Sequence, residues 1–150
     1  SINSDLSISL PTNFIEFGRL NVSDEENTSD GSPAPFVVRN TGNVDQNISI
    51  NFTQLWTKAT PPDSSMRYKV RNLTAGCFFV DGNTTTSWTN APSLSTHSIH
   101  RLNFTSGYQT LCDNATVDIH LQVPGDEPTG NKTSRLTFIS RLGEPGFGAD

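Results

Sequence analysis

The chain is poor in the residue types that commit a protein to chemistry. Its 150 residues include two cysteines, three histidines, two tryptophans and one methionine. Neither cysteine lies in a Cys-x-x-Cys pair or next to a histidine, which argues against thiol catalysis and a structural zinc site. There is no Gly-x-Ser-x-Gly, no His-Glu-x-x-His and no glycine-rich phosphate loop. No two carboxylates are spaced so that a glycosidase pair can be argued. The sequence therefore predicts a protein that is not an enzyme and needs no cofactor.

Basic residues are scarce as well. Ten Lys and Arg against 15 Asp and Glu leave a net charge of −5. That balance excludes the basic face a nucleic acid requires and a polybasic membrane patch. No apolar run approaches the 18 residues of a spanning helix. Asp24-Glu25-Glu26 lacks the alternating ligands and the glycine of a calcium loop. His97 and His100 are three residues apart, which on a regular strand directs them to opposite faces and away from a shared metal. His120 would have to be gathered in by the fold to make a third ligand, so no metal site is expected. Helix-period segments with caps are missing too.

What is present is alternation. Val44, Ile48, Ile50 and Phe52 share one side with Gln46, against Asp45, Asn47, Ser49, Asn51 and Thr53. Such a period of two marks a strand with one buried and one wet face. Phe36-Val37-Val38 precedes it across Asn40-Thr41-Gly42-Asn43, turn chemistry that predicts a hairpin. Met66, Tyr68 and Val70 alternate with Arg67, Lys69 and Arg71; Ala115, Val117, Ile119, Leu121 and Val123 alternate with Thr116, Asp118, His120 and Gln122. Further strands are expected at Phe14–Leu20, Cys77–Val80 and Ser134–Arg141, and at Ile99–Phe104 with a bulge where the alternation slips. The segment from Asn21 to Ala34, acidic and rich in Ser, Asn and Pro, reads as a surface loop. Seven to nine short strands imply an all-β fold, an antiparallel β-sandwich with jelly-roll or Ig-like Greek-key connections.

Seventeen Ser, 18 Thr and 14 Asn replace the usual charged residues. They form nine Asn-x-Ser/Thr sequons, at Asn21, Asn27, Asn47, Asn51, Asn72, Asn83, Asn103, Asn114 and Asn131. Chance would give about three from this composition. The excess points to a secreted or cell-surface glycoprotein carrying N-linked glycans. Cys77 and Cys112 suit that oxidising address as a disulfide. Closing a loop of that length would stabilise the fold by roughly 3–4 kcal/mol on the chain-entropy model. The chain starts at Ser1 and not Met, so either a signal peptide has been removed or the chain is a fragment; with the sequons, export by a cleaved signal peptide is expected, with no membrane anchor in the mature chain.

Residues 1–11 are the least ordinary segment. Leu6, Ile8 and Leu10 alternate with Ser7 and Ser9 and end at Pro11, a strand with one apolar edge at a terminus. Ile15-Glu16-Phe17-Gly18-Arg19-Leu20, followed by Phe36-Val37-Val38-Arg39-Asn40-Thr41-Gly42-Asn43-Val44 through Ile50, resembles the opening of TasA/camelysin-type fibre subunits and of archaeal bundling-pilus subunits. Val123-Pro124-Gly125-Asp126-Glu127-Pro128-Thr129-Gly130 is similar to a turn of extracellular prokaryotic sandwiches. The sequon density departs from the bacterial members and leans towards an archaeal surface protein.

The resemblance implies an N-terminal donor strand (1–11), a sandwich domain (12–142) and a C-terminal tail (143–150). It implies polymerisation of identical subunits into an extracellular filament, with Ile2, Leu6, Ile8 and Leu10 inserted into a neighbour by β-augmentation. The alternative is a sandwich module of an S-layer or adhesin glycoprotein, binding a protein or carbohydrate. In that case the N-terminal strand pairs within its own sheet.

Overall fold

The computed structural model describes residues 6–71, 78, 84–103 and 113–142. Among the described residues there are nine strands and no helix. In chain order they are β1 (Ile8–Thr12), β2 (Glu25–Asn27), β3 (Phe36–Asn40), β4 (Gln46–Phe52), β5 (Met66–Arg71), β6 (Thr89–Asn90), β7 (Thr96–Leu102), β8 (Asn114–Gln122) and β9 (Leu136–Leu142). One sheet runs β1-β3-β8-β5-β6, with β2 also paired to β8; the other runs β7-β4-β9. All pairings are antiparallel. The expected two-sheet, all-β architecture is the one the chain adopts.

The core lies where the alternating faces meet. Gln46, Ile48, Ile50 and Phe52 are the buried positions of β4, and Met66, Tyr68 and Val70 those of β5. Tyr68 ties the sheets together: its ring lies 5.6 Å from that of Phe52, and its hydroxyl is 2.7 Å from Ser98 Oγ on β7. Phe36 on β3 meets Phe138 on β9 edge to face at 6.3 Å. Each fully buried aliphatic side chain stabilises the fold by about 1.5–3 kcal/mol gross.

Strand β8 departs from the half-wet pattern. Thr116 and Asp118, on its polar side, are as buried as Val117. The reason is cover from neighbouring segments of the same chain. Thr28, just past β2, donates its hydroxyl to Asp118 Oδ1 at 2.9 Å, while Arg71 reaches both carboxylate oxygens at 2.8 and 3.1 Å. The expected loop 21–34 thus contains a short strand, held because β8 is long enough to pair with β3 at one end and β2 at the other.

Two other expectations are corrected. The turn at Asn40–Asn43 forms, but its flanking strands are not a hairpin. β3 pairs with β1 and β8, and β4 with β7 and β9, so the chain crosses from one sheet to the other there. Phe14–Leu20 forms no strand. Ile15, Phe17 and Leu20 still pack on the core while Phe14 stands exposed, so the apolar alternation is used without a backbone partner. Of the expected Cys77–Val80 strand only Phe78 is described, and it is buried in the core; the Cys77–Cys112 bridge and the tail 143–150 lie outside the described residues.

Candidate functional site

The segment singled out by the sequence begins at the sheet edge. β1 pairs with β3, Ile8 opposite Asn40 and Ser9 opposite Arg39, and the register shifts before Thr12 meets Val37. Pro11 lies within that shift; it has no N–H to donate, which confines it to edges and bulges. Ahead of β1, the Ser7 carbonyl accepts the Thr41 N–H at 3.0 Å and Gln46 Nε2 at 2.8 Å. Ile8 and Leu10 are half-buried against the core, and Leu6 is 43% exposed.

The donor-strand expectation has these residues pairing only with another copy. In the single chain Ile8 and Leu10 lie against their own core, with β1 (Ile8–Thr12) paired to β3. Ile2 lies outside the described residues. Backbone hydrogen bonding is generic, so an apolar terminal strand takes any open edge within reach. In this chain it takes the β3 edge.

What holds that edge is a buried polar node that no motif reveals. Asn40 is 1% exposed and uses its whole amide. Its Nδ2 donates to the carbonyls of Val44 (2.8 Å) and Leu102 (2.9 Å), and its Oδ1 accepts the Gly42 N–H (2.9 Å) and Gln46 Nε2 (2.5 Å). Gln46 Oε1 in turn accepts the Ser140 hydroxyl. Turn, terminal strand and the second sheet are thereby joined at one point. A polar residue at the inward position of an apolar alternation, as Gln46 is, was the available signal.

Seven of the nine sequon asparagines are described, and none is buried: Asn21 and Asn131 are exposed, and Asn27, Asn47, Asn51, Asn103 and Asn114 half-buried. Asn72 and Asn83 lie outside the described residues. Asn47 and Asn51 share the outer face of β4, as the alternation requires. At Asn27 the side-chain oxygen accepts from the N–H (2.9 Å) and hydroxyl (2.5 Å) of Ser29, the third residue of its own sequon. That Asx turn engages the side-chain oxygen and not the amide nitrogen, the atom a glycan attaches to.

The histidines are placed differently from expectation. Ile48 pairs with Ile99 but the next residue, Ser49, pairs with His97, so β7 carries one extra residue between them. The bulge converts a spacing of three into an effective spacing of two, and His97 and His100 come to one side. His100 Nδ1 and His97 Nε2 are 3.3 Å apart. A second register shift follows towards Leu102, where Arg101 takes φ +58° and its guanidinium pairs with Asp45 at 2.7 Å. His120 does not join them; it sits on the other sheet, 3.2 Å from Glu25, its ring 5.6 Å from that of Trp88. The basic side of β5 is also engaged: Lys69 lies 4.7 Å over the Trp88 ring and Arg71 binds Asp118.

One carboxyl has a strongly altered affinity for its proton. Burial alone would raise the pKa of Glu127; hydrogen bonds from Lys132 and from the Thr57 N–H outweigh it and hold the value down at about 2. Lys132 Nζ is 2.7 Å from Oε2, and the Thr57 N–H is 2.9 Å from both oxygens. This clamp pins the loop after β8 to the one after β4. Because the folded value is depressed, its contribution is complete above about pH 4.5 and is lost as pH falls towards 2. The Thr57 amide resonance should titrate with a midpoint of about 2, and Glu127→Gln should abolish that step. A midpoint in the ordinary carboxylate range would mean the clamp is open in solution.

Among the described residues no three His, Cys, Asp or Glu form a metal-binding group. No helix among them is long and apolar enough to cross a membrane. Comparison with protein-family models, with characterised proteins and with solved structures finds no match to this chain.

Proposed function

We propose that the chain is a β-sandwich module of a secreted or surface-displayed glycoprotein, acting as a structural or recognition unit and not as a catalyst. The observation that carries this reading is β1 docked on its own β3 and tied down through Ser7, Thr41 and Gln46. A strand seated on its own β3 occupies the edge that a neighbour's strand would otherwise take. The position of every described sequon asparagine outside the buried core supports glycosylation.

The test is sedimentation of the purified chain across a wide concentration range, with an intact mass. The expected result is a monomer heavier than 16.3 kDa by several glycans. Fibres growing with concentration would overturn the module reading. An unmodified mass from a glycosylating host would overturn the extracellular one.

A second reading has a specific observation in its favour. β1 is a short terminal strand at an open edge, interrupted near Pro11, the kind of element most easily exchanged between copies. A filament of identical subunits would form if each β1 moved to the β3 edge of the next copy. Insertion of Ile2, Leu6, Ile8 and Leu10 would then contribute roughly 6–10 kcal/mol gross, before the cost of ordering the segment. Deleting residues 1–10 separates the readings. Loss of fibres from a remainder that stays folded is the filament outcome; no change in size is the module outcome.

A further inference from the structure

The bulge in β7 brings together two imidazoles that a regular strand would have separated, and their separation has a chemical meaning. A tetrahedral ion bound at 2.0–2.1 Å holds neighbouring nitrogen ligands about 3.3–3.4 Å apart, whereas right-angled octahedral or square-planar geometry holds them at about 2.9–3.0 Å. His100 Nδ1 and His97 Nε2 stand at 3.3 Å. We propose that His97 and His100 form a binding site for a single zinc ion.

The two residues divide the work. His100 is buried, and its backbone N–H is held by Thr84 Oγ1 at 2.9 Å, so its ring is the fixed ligand. His97 is exposed and gives the ion a way in. Among the described residues no third His, Cys, Asp or Glu is grouped with them. In the metal-free chain the two nitrogens share one hydrogen bond. When zinc binds, both present lone pairs to the metal, and each neutral ring keeps its single proton on the nitrogen facing away. No oxidation or bond cleavage is involved, and the site does not depend on which assembly reading holds.

The experiment is calorimetric titration of the tag-free full chain with Zn²⁺ at neutral pH, followed by imidazole proton spectra at one equivalent. The expected result is one ion per chain, with the His97 and His100 ring signals moving and those of His120 unchanged. His97→Gln, a change at an exposed position, should weaken binding at least tenfold. Absence of binding, unmoved His97 and His100 signals, or full affinity in His97→Gln would each overturn the proposal. The spectra of the unaltered chain keep the test decisive even if a His100 variant fails to fold.

Discussion

Asn40→Asp should be among the most damaging single substitutions in this protein, worse than Asn40→Ala at neutral pH. Alanine leaves the carbonyls of Val44 and Leu102, the Gly42 N–H and Gln46 Nε2 without their partner. Relaxation and water would recover part of this, for a net loss of about 2–4 kcal/mol. Aspartate keeps the shape but puts an oxygen where Nδ2 met two carbonyl oxygens, and buries a charge at a position 1% exposed. That raises the loss to about 3–5 kcal/mol. Such an aspartate would have its pKa raised on folding. The deficit relative to the parent chain should therefore shrink as pH falls towards about 4 and widen as pH rises above it. Thermal unfolding of both variants across pH 4–8 checks this. Equal melting temperatures for the two at every pH would show that Asn40 is not the node described.

Arg71→Ala carries the second large effect. Asp118 is fully buried and its charge is met by Arg71 and the Thr28 hydroxyl, whereas the Arg71 side chain is 36% exposed. Removing the exposed partner strands the buried one, a change that costs about 3 kcal/mol or more. The asymmetry predicts rescue. Asp118→Asn in the Arg71→Ala background removes the stranded charge and should recover a large part of the loss, a coupling that a double-mutant cycle reads directly. Denaturant midpoints for the four proteins settle it. Additive effects would mean that Asp118 draws its compensation from elsewhere. Thr28 links this pair to β2, so Arg71→Ala should also loosen residues 25–28, visible as faster amide exchange at Thr28, whose N–H donates to Ile119 O at 3.1 Å.

The elements with strict alternation were legible from the chain. Ile48, Ile50 and Phe52 face inward on β4 and Met66, Tyr68 and Val70 on β5, where their spacing puts them. The slip in alternation near Ile99 marked a true bulge. Phe14–Leu20 shows the limit of the method. Its apolar residues do pack on the core, but packing is a property of side chains, and a strand also needs a partner for its backbone. β2 is the opposite case: Glu25-Glu26-Asn27 has no apolar pattern, yet it is a strand because the far half of β8 had an open side. The candidate sites divide the same way. Surface placement of the described sequons followed from local pattern, whereas the Asn40–Gln46 node and the meeting of His97 with His100 did not.

By itself, the amino-acid order determined which residues face inward, where the chain turns and where the sequons lie, because each depends on neighbours one or two positions away. Only the tertiary structure decided who pairs with whom. Asn40–Asn43 turns the chain as its residues require, yet β3 and β4 enter different sheets; β1 finds its partner in its own chain; one inserted residue in β7 rotates two histidines together. The physical reason is that peptide N–H and C=O groups are the same at every position. They carry no address, and the choice of partner is left to packing between residues distant in the chain.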